Sequence, residues 1–187
     1  GWHSDAAYTE HPFEALALHA LDVIDDASST RFVDARAAVA RLPADLRAVL
    51  EGAAQEMISP HYTRLAERPC DTREPAAMKR GVRPALYSHP HGGRACVWIS
   101  ELQTARLLDC AWEESRDLLH RVFDALYAED AVFEHRWRQG DLLVWDNIAL
   151  QHARGNLEDA GTRVLQRVIV GRDGVAPHIS GQAPGIG

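Results

Sequence analysis

The last third of the chain leaves few folds open. Between Val132 and Gly171 the short runs VFEHRW, LLVWDN and TRVLQRVIVG are rich in β-branched and aromatic residues and are separated by polar breaks such as RQGD. That is the pattern of strands joined by tight turns. Upstream, TRFVD at 30–34 has the same character, and ALALHALDVI at 15–24 is apolar enough for either a buried strand or a short helix. Helical periodicity is confined to the middle. DARAAVARL and ADLRAVLEG read as two short helices, the second following Pro43 and stopped by Gly52. WEESRDLLHRVFDALYAED at 112–130 carries Leu118, Leu119, Val122, Phe123, Leu126 and Tyr127 on one face and charges on the other. RPALYS, HPHGG and RACVWIS read as a hairpin, 53–83 as a long site-lining loop with three prolines, and the Gly/Pro-rich tail APHISGQAPGIG as loosely ordered. Strands at both ends with helices between them predict a mainly β fold, an antiparallel core with flanking helices outside it. In such a fold the first and last segments can meet.

A chain of 187 residues, 46% hydrophobic, fits one globular domain over 1–187 that can bury a core without staples, so stability does not call for a metal. A formal charge of −7, with 20 Lys plus Arg in no long run, argues against a nucleic-acid partner. No stretch approaches a membrane span or a signal segment, so no membrane partner and a cytoplasmic location are expected. Cys70, Cys96 and Cys110 lie far apart and read as ordinary buried or half-buried thiols. The unusual supply is 10 histidines, the commonest metal ligands.

In an extended segment residues i and i+2 project to one side, so His3 and Asp5 present an imidazole and a carboxylate to the same point. The best third ligand is His152, just beyond the strand candidate DLLVW and the polar break Asp146–Asn147. Two histidines and one carboxylate on one face suit non-haem Fe(II) with open positions. From spacing alone a frayed His3 and a hydrogen-bonded core His152 remain the plainer alternative. Arg163 and Arg167, four apart in an apolar strand, share a face. A buried arginine needs an anion, whereas a solvent-facing edge would not.

WHSDAAY near the start, GDLLVWDNIALQHARG and TRVLQRVIVG near the end, in that order, resemble the taurine dioxygenase-like family of Fe(II)/2-oxoglutarate-dependent oxygenases, over Trp2 to Gly171. The resemblance implies a distorted double-stranded β-helix (a cupin-like jelly roll) with His3, Asp5 and His152 as iron ligands. Arg167 then grips the distal carboxylate of the co-substrate 2-oxoglutarate, Thr30 hydrogen-bonds it, and Arg163 is a second arginine near that pocket. Trp145, Asp146 and Asn147 have a mainly structural role, and an N-terminal segment would precede the His-x-Asp motif. Iron, 2-oxoglutarate and O2 would together hydroxylate an unactivated C–H of a small molecule, with release of succinate and CO2. Related halogenases replace the carboxylate by a small residue, so Asp5 implies hydroxylation, or a desaturation or cyclisation. The substrate class is open, among amino acids, sulfonates, aryloxy acids and natural-product intermediates, and so is a homo-oligomer. Ser4, Ala6, Ala7 and Tyr8 would face the substrate. His89, His91 and Arg94 read as solvated turn residues or, less readily, as an anion site. His19, His61, His120 and His135 read as structural or surface residues, and Trp98, Trp112 and Trp137 as packing aromatics. Two competing readings are a zinc hydrolase using the same three ligands, which leaves Arg167 and Thr30 without a task, and a non-catalytic jelly-roll binding module.

Overall fold

ALALHALD has the composition of a helix as much as of a strand, yet it is strand β1 (Ala15–Asp22), because both of its edges are taken by other strands. Pairing outweighs intrinsic propensity here. The computed structural model describes residues 1–59, 68–72, 79–155, 157, 161, 163–171 and, for the backbone alone, 174–178. β1 lies between β9 (Leu142–Asp146) and β11 (Val164–Gly171), and β12 (Gly174–His178) extends the sheet beyond β11. All the pairs are antiparallel. A second sheet has β2 (Ser29–Asp34) between β8 (Val132–Arg136) and β10 (Leu150–Arg154). Leu16 of β1 sits opposite both Trp145 and Ile169, and this row packs on Phe32 of the second sheet with Trp145 edge-on to Phe32 at 5.3 Å. The two sheets are the halves of the expected jelly roll.

Helices close the outside. α1 (Ala35–Arg41) begins where β2 ends, because the Asp34 carboxylate accepts the N–H groups of Arg36 and Ala37 at 2.8 and 3.1 Å. Asp34→Ala removes that cap and is expected to cost about 1 kcal/mol of unfolding free energy, read from denaturant midpoints. Burial raises the pKa of Asp34, but its bonds to Arg36 and Ala37 outweigh that and leave it below its ordinary 3.8. The cap's contribution is therefore complete above pH 3.8 and is lost as pH falls through the lower folded value. α2 (Ala44–Leu50) follows Pro43, and Gly52 ends its turn at φ 84. α3 (Trp112–Leu126) is shorter than expected, giving way at Tyr127 to a 3-10 turn over Glu129–Ala131. Its Leu119, Val122, Phe123 and Leu126 pack on Val33, Ile99, Leu107 and Ala153.

The 53–83 segment departs from the loop expectation. It contains β3 (Ala54–Ile58) and β4 (Arg80–Pro84), which form a third sheet with β7 (Thr104–Leu107). Glu56 in the middle of β3 bonds Arg80 of β4 at 3.0 Å and Arg106 of β7 at 3.2 Å, and such cross-strand charges hide a strand from an apolar pattern. The remainder of that segment, at 60–67 and 73–78, lies outside the described residues. The hairpin is present as β5 (Leu86–Ser88) and β6 (Ala95–Val97). The start of the tail is corrected too, since Ala176, Pro177 and His178 pair with Ile169, Val168 and Arg167. Among the described residues no helix is long and apolar enough to cross a membrane.

Candidate active site

The N-terminal segment reaches the C-terminal half through one antiparallel bridge. The His3 N–H donates to the His152 carbonyl at 3.0 Å and the His152 N–H to the His3 carbonyl at 2.8 Å. The bridge sets His3 against the free edge of β10, and Asp5, two residues on, joins the same side. His3 Nε2 is 3.3 Å from Asp5 Oδ1, His152 Nε2 is 3.7 Å from it, and the ligand atoms of all three residues lie within 4.8 Å of one another. Two donors each about 2.1 Å from one ion and at right angles would be about 3 Å apart, so the set fits a single small cation with little movement. The hydrogen bonds and burial of the three groups are compatible with this. His3 Nδ1 lies 3.2 Å from the Gly1 carbonyl, and a neutral ring that donates there keeps the lone pair on Nε2. Burial, then the His3 charge, pushes His152 down to about 3, so its imidazole is neutral at physiological pH. Its Nδ1 is buried without a partner among the described residues. Burial raises the pKa of Asp5, but the His3 and His152 rings and the Arg167 guanidinium around it outweigh that, and the group sits below 3.8 and is ionised.

A buried neutral histidine carries a pH signature. Its folded pKa of about 3 lies below the ordinary 6.5, so its contribution to stability is intact above pH 6.5 and declines as pH falls toward 3. The metal-free chain is expected to lose thermal stability across that window, and His152→Gln to flatten the dependence; melting curves between pH 7 and 4 check both.

Asp5 is held by its backbone. Asn147, fully buried, accepts the Asp5 N–H on Oδ1 at 2.8 Å and donates Nδ2 to the Asp5 and Phe13 carbonyls at 3.0 and 2.8 Å. The chain then turns sharply at Ala6, a non-glycine residue at φ 58. Tyr8 follows, its carbonyl packed so closely on Gly81 of β4 that no side chain would fit there. Ser4 and Ala7, expected to face a substrate, are buried. Gln103 donates to the Ser4 carbonyl at 2.9 Å and the Trp98 indole to that of Ala7 at 3.2 Å.

Arg167 donates from Nη1 to Asp5 Oδ2 at 2.8 Å, on the carboxylate oxygen that does not face the histidines. Arg163 has a buried Nε with no partner among the described residues, and burial, then the neighbouring Arg154 charge, lowers its pKa. Thr30 is buried and accepts the Trp137 indole N–H at 3.0 Å, and among the described residues its own hydroxyl proton has no acceptor. It lies opposite Arg154 in the β2–β10 pairing.

Sequence reasoning misplaced one histidine. His91 and Arg94 are exposed, but His89 is 8% exposed and its Nε2 bonds Asp146 at 2.8 Å. Of the others, His120 bonds Asp71 at 2.7 Å, His135 stands edge-on to Trp137 at 4.7 Å, and His19 lines a shallow outer groove with Ala17, Leu142, Gln166 and Val168. His61 lies outside the described residues. All three cysteines are free. A second donor group, Cys70, Asp71 and His120, also comes within reach of one ion, but Arg68 already bonds the His120 ring at 3.2 Å.

Comparison with known proteins identifies relatives in sequence and in fold. The chain is 29% identical over 182 residues to pentalenolactone F synthase of Streptomyces arenae, covering 90% of this chain and 60% of that protein. It is 28% identical over 179 residues to the alpha-ketoglutarate-dependent 2,4-dichlorophenoxyacetate dioxygenase of Cupriavidus pinatubonensis, covering 93% of this chain and 61% of that one. It thus spans about three-fifths of the length of these curated relatives. Among solved structures, a Burkholderia xenovorans protein assigned as an alpha-ketoglutarate dependent 2,4-D dioxygenase superposes with a TM-score of 0.74 at 29% identity, over 92% of this chain and 67% of its own. AAD-2 in complex with Mn(II) and N-oxalylglycine superposes with a TM-score of 0.76 at 23% identity, over 96% of this chain and 71% of its own, a likeness of fold. The model of the family described as taurine catabolism dioxygenase TauD, TfdA family, matches residues 1–169, and the chain belongs to that family.

Proposed function

We propose that this chain carries the catalytic centre of an Fe(II)/2-oxoglutarate-dependent dioxygenase that hydroxylates an unactivated C–H bond of a small molecule, with release of succinate and CO2. The observation that carries the reading is one side of one small cluster. His3, Asp5 and His152 point their donor atoms at a common centre, and Arg167 neutralises the far oxygen of the same carboxylate. Ferrous iron bound there, with 2-oxoglutarate and O2, supplies the oxidising power for the C–H bond. The chain's own residues hold and aim. His152 offers a lone pair because burial keeps it neutral, Asn147 fixes the backbone of Asp5, and Arg167 holds one oxygen of its carboxylate.

The distal carboxylate of 2-oxoglutarate falls to the arginine pair. Two features support giving Arg163 the larger share. Both arginines have a buried Nε without a partner among the described residues, but Arg167 is already engaged by Asp5, and the Arg154 charge that acts on Arg163 belongs to the residue opposite Thr30. Arg163 and Thr30 thus supply a guanidinium fork and a hydroxyl at one end of the barrel, and Arg167 sits nearer the ligands, already bonded to Asp5. A zinc hydrolase would leave the Arg163 guanidinium without a task, its buried Nε having no partner among the described residues. Relatives named for phenoxyacetate and pentalenolactone chemistry support a small organic acid or natural-product intermediate as substrate.

The reading is tested by incubating the full chain with Fe(II), 2-oxoglutarate and a panel of aryloxy acids, sulfonates, amino acids and terpenoid acids. Succinate formed in step with O2 uptake, dependent on Fe(II) and absent with Zn(II), is expected. Hydrolysis of any panel member by the Zn(II) form without O2 uptake would overturn it.

A further inference from the structure

His89 sits in the β5–β6 turn, far along the chain from every ligand, and nothing in the proposed chemistry uses it. It is 8% exposed, and its two ring nitrogens have fixed roles. The His91 N–H donates to His89 Nδ1 at 3.1 Å, so Nδ1 is the acceptor, Nε2 carries the proton, and that proton is donated to Asp146 Oδ2 at 2.8 Å. The other oxygen of Asp146 accepts the N–H groups of Ile148 and Ala149, both at 2.9 Å, which folds residues 146–149 into a tight turn. Asn147 is inside that turn. Its N–H donates to the Glu14 carbonyl at 2.9 Å, and its side chain bonds both the N–H and the carbonyl of Asp5. A carboxylate bonded only through Oδ1 can swing about its χ2 torsion, and that torsion is broad. His89 is the contact on Oδ2 that stops it.

We propose that His89 is a positioning residue for the metal ligand Asp5, acting through Asp146 and the two-sided grip of Asn147. The proposal rests on the two-histidine, one-carboxylate reading of the centre. It predicts that the Nε2 proton donor, and not the bulk of the ring, is what matters. Glutamine can place an N–H near the position of Nε2, whereas phenylalanine keeps the ring and loses the donor.

Two measurements on the full chain test it, neither of them turnover. First, Mn(II) is titrated as the probe ion and free metal is read by its electron paramagnetic resonance signal. His89→Phe is expected to bind roughly 10-fold more weakly than the parent, the scale of lost support behind a ligand. His89→Gln is expected to stay within about twofold of the parent on the same scale, and Asp45→Ala, which breaks only the exposed ion pair with Arg121 on the outer helices, to be unchanged. Second, in the metal-free chain, exchange of the Asp5 amide proton held by Asn147 is expected to quicken roughly 10-fold in His89→Phe and not in Asp45→Ala. Parent-like Mn(II) affinity and Asp5 exchange in His89→Phe, or equal defects in His89→Gln and His89→Phe, would overturn the proposal. A parent chain that binds no Mn(II) would instead count against the metal-centre reading, and Asp5 amide exchange would still decide the link from His89 to Asp5.

Discussion

Asp5→Ala is expected to weaken binding of ferrous iron by more than about 100-fold and to leave no measurable succinate formation, a larger effect than loss of a residue that only supports a ligand. The carboxylate is the sole anion of the proposed ligand set, and three other groups are arranged around it: His3 at 3.3 Å, His152 at 3.7 Å and Arg167 at 2.8 Å. Removing it takes away one donor and also leaves the Arg167 guanidinium facing two imidazoles with no counter-charge. That second consequence separates this variant from a simple ligand deletion. His3→Ala removes a donor and keeps the Asp5–Arg167 pair, so it is expected to lose metal while melting near the parent temperature, whereas Asp5→Ala melts lower. Chelator-free metal titration and melting curves of both proteins check this. Equal melting temperatures would mean that Arg167 is not relying on Asp5 for its charge balance.

Arg163→Leu is expected to weaken 2-oxoglutarate binding by about 2–5 kcal/mol, roughly 30-fold or more, while iron affinity stays near that of the parent. The basis is the setting of the Arg163 guanidinium. Its Nε is buried with no partner among the described residues, and burial, then the Arg154 charge, lowers its pKa. Burying a cation in that way is costly, and a bound dicarboxylate relieves it. Arg167→Leu also weakens 2-oxoglutarate binding more than iron binding, but it acts on Asp5 as well, which it frees from its 2.8 Å bond. Isothermal titration of each variant with Fe(II), then with 2-oxoglutarate, ranks the two arginines. If Arg167→Leu loses far more 2-oxoglutarate affinity than Arg163→Leu, the distal carboxylate belongs to Arg167 and Thr30 has been paired with the wrong guanidinium.

How much of this was legible in the sequence depends on the kind of signal. His3, Asp5 and His152 could be named because ligand chemistry limits residue type and because the i, i+2 spacing survives in any extended segment. That these residues meet could not be derived from spacing. It depends on one antiparallel bridge between His3 and His152, across most of the chain. The strands β8 to β11 carried an apolar pattern and were readable, whereas β3 was not, because Glu56 is satisfied by Arg80 and Arg106 on neighbouring strands and no local pattern records that. β1 was ambiguous for a different reason. Alanine and leucine suit both states, and only the pairing with β9 and β11 decides. His89 was misjudged because a Gly-Gly turn signals a surface position, yet the turn folds inward onto Asp146. Asn147 was rightly placed as structural, but its grip on both sides of Asp5 becomes visible only when the two ends of the chain are side by side.

The central claim is that the start and end of this chain together build a ferrous site that a dicarboxylate can join. The most direct measurement is an anaerobic titration of the full chain with Fe(II) and then 2-oxoglutarate, followed by visible absorption. A weak charge-transfer band that grows with 2-oxoglutarate to one equivalent per chain, and that is missing in Asp5→Ala, is the predicted result. Folded protein that binds Fe(II) and 2-oxoglutarate without developing the band, or that binds neither, would contradict it.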